Sequence, residues 1–465
     1  MIALDWESCR SNFPFAALRY KSCVIIVFIQ WQRFNTPVEL YRKYIMQLAT
    51  LAAGFLEALG RLSTTSDDYV PSIVTLLIDQ ARGARASDIH LVPTESALIV
   101  QWRIDGVLHS IAGFDRDLAP RVVARLKVIS GLLTYRTDVP QEGRVSREFS
   151  RTEVRITTFP TLHGEKAAIR LFAENDQLQT LTQLGLPKEV ESELRSHLAA
   201  TAGVIMLTGP SGSGKTTTAY ACLRDIIADS VGTRCIMSLE DPVEVAVDGA
   251  TQSQVRPSAG FDLATGLRSL MRQDPDVIFV GEIRDPATAE AAFQAALTGH
   301  LVLTTFHAGN SAEAITRLLE MQIEPYLIRS GLRTVICQRL LRKICANCRD
   351  LVGHAGAILS QSAESERTSD KFVSSPAHRI ACAVCGSTGY HGRLVLAEML
   401  NPNSPEVARA ILDRLDAPEV ARLAAASGMQ TLSQRAAIAV ANRETTYEEV
   451  LRVLGSINVP VKTQP

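Results

Sequence analysis

The chain has 465 residues, 46% apolar and 21% charged, with a net charge of −1. That is a globular mixture, and at roughly 100–200 residues per domain it allows two to four domains. The even charge excludes a global electrostatic pull toward nucleic acid or an anionic membrane, leaving at most a local patch.

Residues 1–65 read as an N-terminal extension. Its apolar run "CVIIVFI", Cys23 to Ile29, is far short of the ~20 residues a membrane-spanning helix needs. Arg19 and Lys21 precede it, but Gln30, Trp31, Gln32 and Arg33 offer no small-residue cleavage site for a signal peptide. The run reads as a buried β-branched strand, or as an upstream extension outside the native fold with Met46 as an alternative start.

A small mixed α/β domain is expected over residues 66–174. Apolar positions Ile73, Val74, Leu76, Leu77 and Ile78 suit a helix ending near Gly83. "LIVQWRIDGVLHSI" (98–111) places Asp105-Gly106 between two β-type runs, a strong hairpin signal because both residues tolerate positive φ. Residues 119–133 read as a helix, and 153–172 as two strands around a loop.

From 175 to 340 the pattern changes to strand–helix alternation. After a connection and a helix (175–200) come apolar strands at 203–209, 234–242, 276–282 and 300–307. Helical segments lie at 215–229, "LATGLRSLMRQ" and "PATAEAAFQAALTG". Near-continuously apolar strands alternating with helices argue a parallel sheet covered on both faces.

Within that region Gly209-Pro210-Ser211-Gly212-Ser213-Gly214-Lys215-Thr216-Thr217 fits a phosphate-binding loop, between a strand and a helix as such loops require. The glycines let backbone N–H groups turn toward phosphates, and the helix N-terminus adds partial positive charge. Lys215 would reach the β- and γ-phosphates of ATP, and the Thr216 hydroxyl would ligate Mg²⁺. Asp276 and Glu282 flank the strand "VIFV", and Glu240, Asp241 and Glu244 end another in "EDPVE". Carboxylates at strand ends can hold Mg²⁺ through water or orient an attacking water, and strand ends of a parallel sheet converge on one rim. His300 and His307 bracket the next strand and are expected on the nucleotide side, sensing the γ-phosphate or contacting a neighbour.

The last part carries "CANC" (345–348) and "CAVC" (382–385), a Cys-x₂-Cys-x₃₃-Cys-x₂-Cys arrangement. Two such knuckles, Cys345 with Cys348 and Cys382 with Cys385, make a closed tetrahedral Zn²⁺ site, which is structural because it keeps no open position. A serine-rich stretch at 360–375 lengthens the gap as a solvated insertion, at little entropic cost. Nine cysteines in all, an odd number, fit a reducing compartment with one metal site better than a disulfide framework. The element spans 341–400, and a helical region follows over 401–465, with "TYEE" at Thr446–Glu449 as a helix cap.

Together, "GPSGSGKTTT", "EDPVE", "RQDPDVIFVGEIRD", "TGHLVLTTFHAGN" and "CQRLLRKIC" resemble the secretion ATPase superfamily, nearest its type II secretion and type IV pilus assembly ATPases. Upstream, "ASDIH", "WRIDGVLHSI" and "QEGR" resemble the small domain preceding the core in that family, and the match covers about residues 66–455. The resemblance implies a RecA-like P-loop ATPase core. Lys215 and Thr216 match the Walker A residues, Glu282 the Walker B acid, Glu240 and Glu244 the aspartate-box acids, and His300 and His307 the histidine box. It further implies a homo-hexamer with nucleotide held between small domain and core, where Arg103, Arg144, Arg155 and Arg170 would complete the site. It implies cytoplasmic work, peripheral to the inner membrane through a platform protein, with no nucleic acid partner. The four cysteines point to assembly rather than retraction. A DNA-uptake or retraction motor, or a nucleotide-gated scaffold with negligible hydrolysis, stay open as alternatives. Two departures stand out. Phe306 and Ala308-Gly309-Asn310 replace the usual neighbours of His307, and residues 1–65 are unlike the family's extra docking domain.

Overall fold

The computed structural model describes residues 55–63, 65–146, 149, 153–171, 180–348, 382, 384–385 and 388–455, and the backbone alone of 16–20 and 23–27. Strands β1 (Ala16–Tyr20) and β2 (Cys23–Val27) pair antiparallel, so the backbone of the apolar run near residue 25 is extended. The serine-rich stretch lies outside the described residues. These residues form two compact units, one drawn from Met1–Asn175 with Ile344–Gly392, the other from Asp176–Lys343 with Arg393–Pro465.

In the first unit, helix α1 (Tyr69–Gly83) and α2 (Ala119–Ile129) pack on an antiparallel sheet. Its strands are β3 (Ala86–Pro93), β4 (Ala97–Ile104), β5 (Val107–Asp115), β6 (Gln141–Arg144), β7 (Val154–Thr161) and β8 (Gly164–Leu171), in the order β5-β4-β3-β8-β7-β6. Asp105 and Gly106 join β4 to β5 with φ of 47° and 81°, the left-handed pair the hairpin signal required. Alternate residues of β4 (Leu98, Val100, Trp102) face the helices, where Ile73, Leu77 and Leu126 meet them. Burying each such side chain contributes about 1.5–3 kcal/mol.

In the second unit, α3 (Leu181–Leu184) and α4 (Lys188–Leu198) lead into β9 (Gly203–Thr208). Then follow α5 (Lys215–Ser230), β10 (Ile236–Glu240), β11 (Thr251–Gln254), α6 (Leu263–Leu270), β12 (Val277–Val280), α7 (Pro286–Leu297), β13 (Leu301–Phe306), α8 (Ser311–Glu320), α9 (Pro325–Gly331) and β14 (Leu332–Ile344). Strand β15 (Tyr390–Leu400) completes the sheet, ordered β11-β10-β12-β13-β9-β14-β15. Neighbours from β11 to β14 pair parallel.

The apolar runs follow from this arrangement. Val204 and Met206 of β9, Ile278 and Val280 of β12 and Val302 of β13 pack into one layer with α6, α7 and α8. Their alternates Ile205, Leu207, Val277, Phe279, Leu301 and Leu303 pack into the opposite layer with α4 and α5. A strand buried on both faces has no polar face to show. Helices α10 (Pro405–Leu412), α11 (Ala417–Ala426), α12 (Leu432–Ala441) and α13 (Tyr447–Leu454) close the chain. The Thr446 cap is present: its hydroxyl accepts from the Glu449 N–H at 3.2 Å.

Candidate active site

The loop from Gly209 to Gly214 joins the fully buried β9 to α5. Gly209 adopts a φ of 145°, and a Cβ there would lie 2.6 Å from both the Gln338 carbonyl and Ser213 Oγ. No other residue fits that crossing. Buried Lys215 turns back into the loop, its Nζ donating to Gly209 O at 2.9 Å and Pro210 O at 3.0 Å. Burial lowers the Lys215 pKa, and the nearby Glu282 carboxylate opposes that shift. Gln338 of β14 grips the loop from the side, donating from Nε2 to Ser213 O at 3.0 Å. Thr216 and Thr217 sit in the first turn of α5, half-buried.

Two acids at the rim have contrasting surroundings. Glu240, 2% exposed, ends β10 with both oxygens engaged. Ser238 Oγ and Gln252 Nε2 donate to one oxygen, and the Tyr220 hydroxyl to the other. That hydroxyl accepts from the backbone N–H groups of Glu244 and Val245, so it fastens the turn after β10. Burial and then Glu240 push the Tyr220 pKa upward, keeping the hydroxyl protonated as a donor. The Glu244 side chain is exposed on that turn.

Glu282, beyond the end of β12, meets two basic groups. His307 Nε2 lies 2.7 Å from Oε1, and Arg284 reaches Oε2 at 2.8 Å through Nη2 and 2.9 Å through Nε. The His307 loop is itself anchored. Arg317 donates to the His307 carbonyl and Arg339 to the Gly309 carbonyl, while Glu313 accepts from the Gly309 N–H at 2.6 Å. A Cβ on Gly309 would lie 2.4 Å from that Glu313 oxygen. The unusual Ala308-Gly309-Asn310 thus forms an ordered loop in which glycine admits the Glu313 carboxylate.

The expectation that both histidines share the nucleotide side is overturned for His300. Strand β13 runs parallel to β9, with Leu301 opposite Gly203 and Phe306 opposite Thr208. His307 therefore emerges beside the phosphate loop. His300 sits at the other end of the six-residue strand, about 20 Å away, where its Nδ1 meets Ala295 O and Thr298 Oγ1. Asp276 lies at that far end too, its carboxylate accepting from the Cys235 N–H at 2.6 Å.

In the first unit, the register aligns the four arginines. Arg103 lies opposite Asp88, Asp88 opposite Arg170, Arg170 opposite Arg155, and Arg155 opposite Arg144. Directly opposed residues share a face, so these form one row across five strands. Asp88 pairs with Arg170 at 3.1 Å and Arg103 at 3.8 Å, while Glu153 pairs with Arg155 at 2.8 Å and Arg144 at 3.5 Å. Among the described residues, Asp88 and Glu153 are thus each shared by two arginines of the row.

Cys345, Cys382 and Cys385 are buried, with their sulfurs all within 4.8 Å of one another. The Cys345–Cys382 separation of 4.0 Å matches the ~3.8 Å edge of a tetrahedron of thiolates around zinc at 2.3 Å. Cys348 belongs to a 3₁₀ turn, Ala346–Cys348, and its side chain lies outside the described residues.

Sequence reasoning missed Tyr220, Ser238, Gln252, Gln338 and Arg339. Only Gln338 and Arg339 carried a signal, as polar residues within "CQRLLRKIC" that neither face of a simple buried strand explains.

Known proteins resemble the chain over most of its length. The family model described as "Type II/IV secretion system protein" matches residues 63–452. Type II secretion system protein E of Xanthomonas campestris pv. campestris is 38% identical over 404 residues, spanning 86% of this chain and 69% of that protein. Type IV pilus assembly ATPase PilB of Thermus thermophilus is 37% identical over 369 residues, 79% of this chain and 41% of that one. Among solved structures, the ATPase DotB of Legionella pneumophila superposes with a TM-score of 0.60 at 20% identity, covering 84% of this chain and 96% of that one, a likeness of fold. Among the described residues no helix is long and apolar enough to cross a membrane. The parallel-sheet core, the phosphate loop at its rim and these matches agree: the chain belongs to the type II/IV secretion system ATPase family.

Proposed function

We propose that this chain is an ATP-hydrolysing homo-hexameric motor. It powers assembly of a type II secretion pseudopilus or a type IV pilus, from the cytoplasmic face of the inner membrane, through a platform protein. The observation that carries the reading is the pairing of Glu282 with His307, 2.7 Å apart, beside the phosphate loop closed by Lys215.

On ATP entry, Lys215 exchanges the loop carbonyls for the β- and γ-phosphates, which relieves the cost of holding a buried ammonium on neutral acceptors. Thr216 would hold Mg²⁺, which supplies charge neutralisation at the phosphates. Glu282 orients the attacking water and accepts its proton, with His307 and Arg284 fixing the two carboxylate oxygens. Glu240 supports the rim from beneath, through Tyr220, and Glu244 is the exposed acid of that pair. The arginine row supplies cations to the nucleotide held by a core. Arginines supplied to such sites are worth roughly 10³–10⁵ in rate. Cys345, Cys348, Cys382 and Cys385 would hold Zn²⁺, which supplies a structural crosslink and favours assembly over retraction. No part of the reading calls for nucleic acid.

The test is specific ATPase activity against protein concentration, with Glu282→Gln as control. Activity per chain should rise with concentration and vanish in the variant. Nucleotide binding without turnover at any concentration, persisting after lipid and a platform domain are added, would leave a scaffold and overturn the motor.

A further inference from the structure

Glu398 lies on β15, far in sequence from every motif of the nucleotide site, and is 4% exposed. Among the described residues its carboxylate meets no basic side chain. Oε1 accepts from both the backbone N–H and the hydroxyl of Ser311, each at 2.8 Å, and Oε2 accepts from the Leu432 N–H at 3.0 Å. Ser311 and Leu432 are the first residues of α8 and α12. One buried anion therefore satisfies unpaired N–H groups of two helix N-termini, where helix dipoles also favour negative charge.

The first of those helices begins directly after the His307 loop. Asn310 caps α8 by accepting from the Glu313 N–H at 2.8 Å, and Glu313 in turn holds the Gly309 N–H. A chain of bonded groups thus runs from Glu398 through Ser311, Asn310, Glu313 and Gly309 to His307 and Glu282. On the other side it reaches α12, in the C-terminal helical region.

We propose that Glu398 is a positioning residue for the catalytic pair, tying the start of α12 to the loop that sets His307 against Glu282. It touches no nucleotide. Movement of the C-terminal helices would reach the Glu282 carboxylate through this one side chain. The turnover arm of its test rests on the ATPase reading above; the exchange arm does not.

The experiment uses full-length Glu398→Gln, which keeps one carbonyl oxygen but turns an amide donor toward one helix start. Amide hydrogen exchange should quicken about tenfold at residues 307–313 as well as at 431–435. ATP turnover should fall about tenfold, with KM for ATP within about twofold, because the phosphate loop is untouched. Exchange at 307–313 equal to wild type, or turnover within about twofold of it in an active preparation, would overturn the proposal. An inactive wild type would defeat the ATPase reading alone, since exchange still decides this one. Should the amide variant not fold, Ser311→Ala keeps the backbone N–H bond to Glu398 and removes the hydroxyl's bond to it, together with a weak 3.6 Å contact to Met429 Sδ. It should change exchange and kcat in the same direction by a smaller factor, and no change in either would overturn the proposal.

Discussion

The rim of the parallel sheet and the arginine row of the antiparallel sheet both handle charge, yet they are built differently. At the rim, the charges of Glu240 and Lys215 are buried and held by neutral groups. Glu240 is bonded by a tyrosine, a serine and a glutamine, and Lys215 by two carbonyls. In the row, Arg144 and Arg170 are 51% and 66% exposed and share their acids with neighbours. The rim's charges are part of what holds it together. The row's charges stand on a sheet whose stability comes from the other face. Substitutions at the rim should therefore disturb chemistry and packing together, whereas those in the row should separate them.

The strongest test of that contrast is Lys215→Ala. It removes the cation that meets the phosphates, and turnover should fall about 10³-fold or more, with fluorescent nucleotide binding lost. Retained turnover within about tenfold of wild type would mean that the loop is not the reaction site.

Next comes the double variant Arg144→Ala, Arg170→Ala, which removes the two exposed arginines and leaves Asp88 and Glu153 each one partner. If the row serves the nucleotide, turnover should drop about 10²-fold while the thermal midpoint hardly moves, because exposed ion pairs contribute about 0–1 kcal/mol. A lowered midpoint with unchanged turnover would make the row a structural feature of its sheet.

Glu240→Ala should behave in the opposite way. It strips the acceptor from three buried donors and frees the turn that Tyr220 holds. Denaturant unfolding should show a loss of about 3 kcal/mol, accompanied by lower activity. Lost activity at wild-type stability would mean instead that Glu240 acts directly on the nucleotide.

The same contrast explains which parts of the fold were legible in the sequence. Strands β9, β10, β12 and β13 were legible because both their faces are covered. Strand β11, "TQSQ", was not, because it is the sheet's edge and carries Gln252 toward Glu240. Strand β14 hid behind its polar residues, since Gln338 and Arg339 serve the loops on either side. The phosphate loop declared itself through local glycine spacing. The Glu240 network did not, since Tyr220 stands twenty residues away and nothing local announces that they meet. The four arginines were individually visible, but their single row required the register.

His300 is the instructive error, because strand direction alone could have corrected it. The phosphate loop leaves the C-terminal end of β9, so in a parallel neighbour only residues after the strand reach the same rim. A histidine before β13 must lie at the far end, and there His300 serves the C-terminus of α7 through the Ala295 carbonyl and the Thr298 hydroxyl. His300→Ala should accordingly change turnover by no more than about twofold, with a stability cost of about 1 kcal/mol for the lost bonds. His307→Ala, which releases Glu282, should cost far more turnover at little cost in stability. Equal losses of turnover from the two variants would show that the far end of β13 also meets the nucleotide, through a neighbouring subunit that a single chain does not contain.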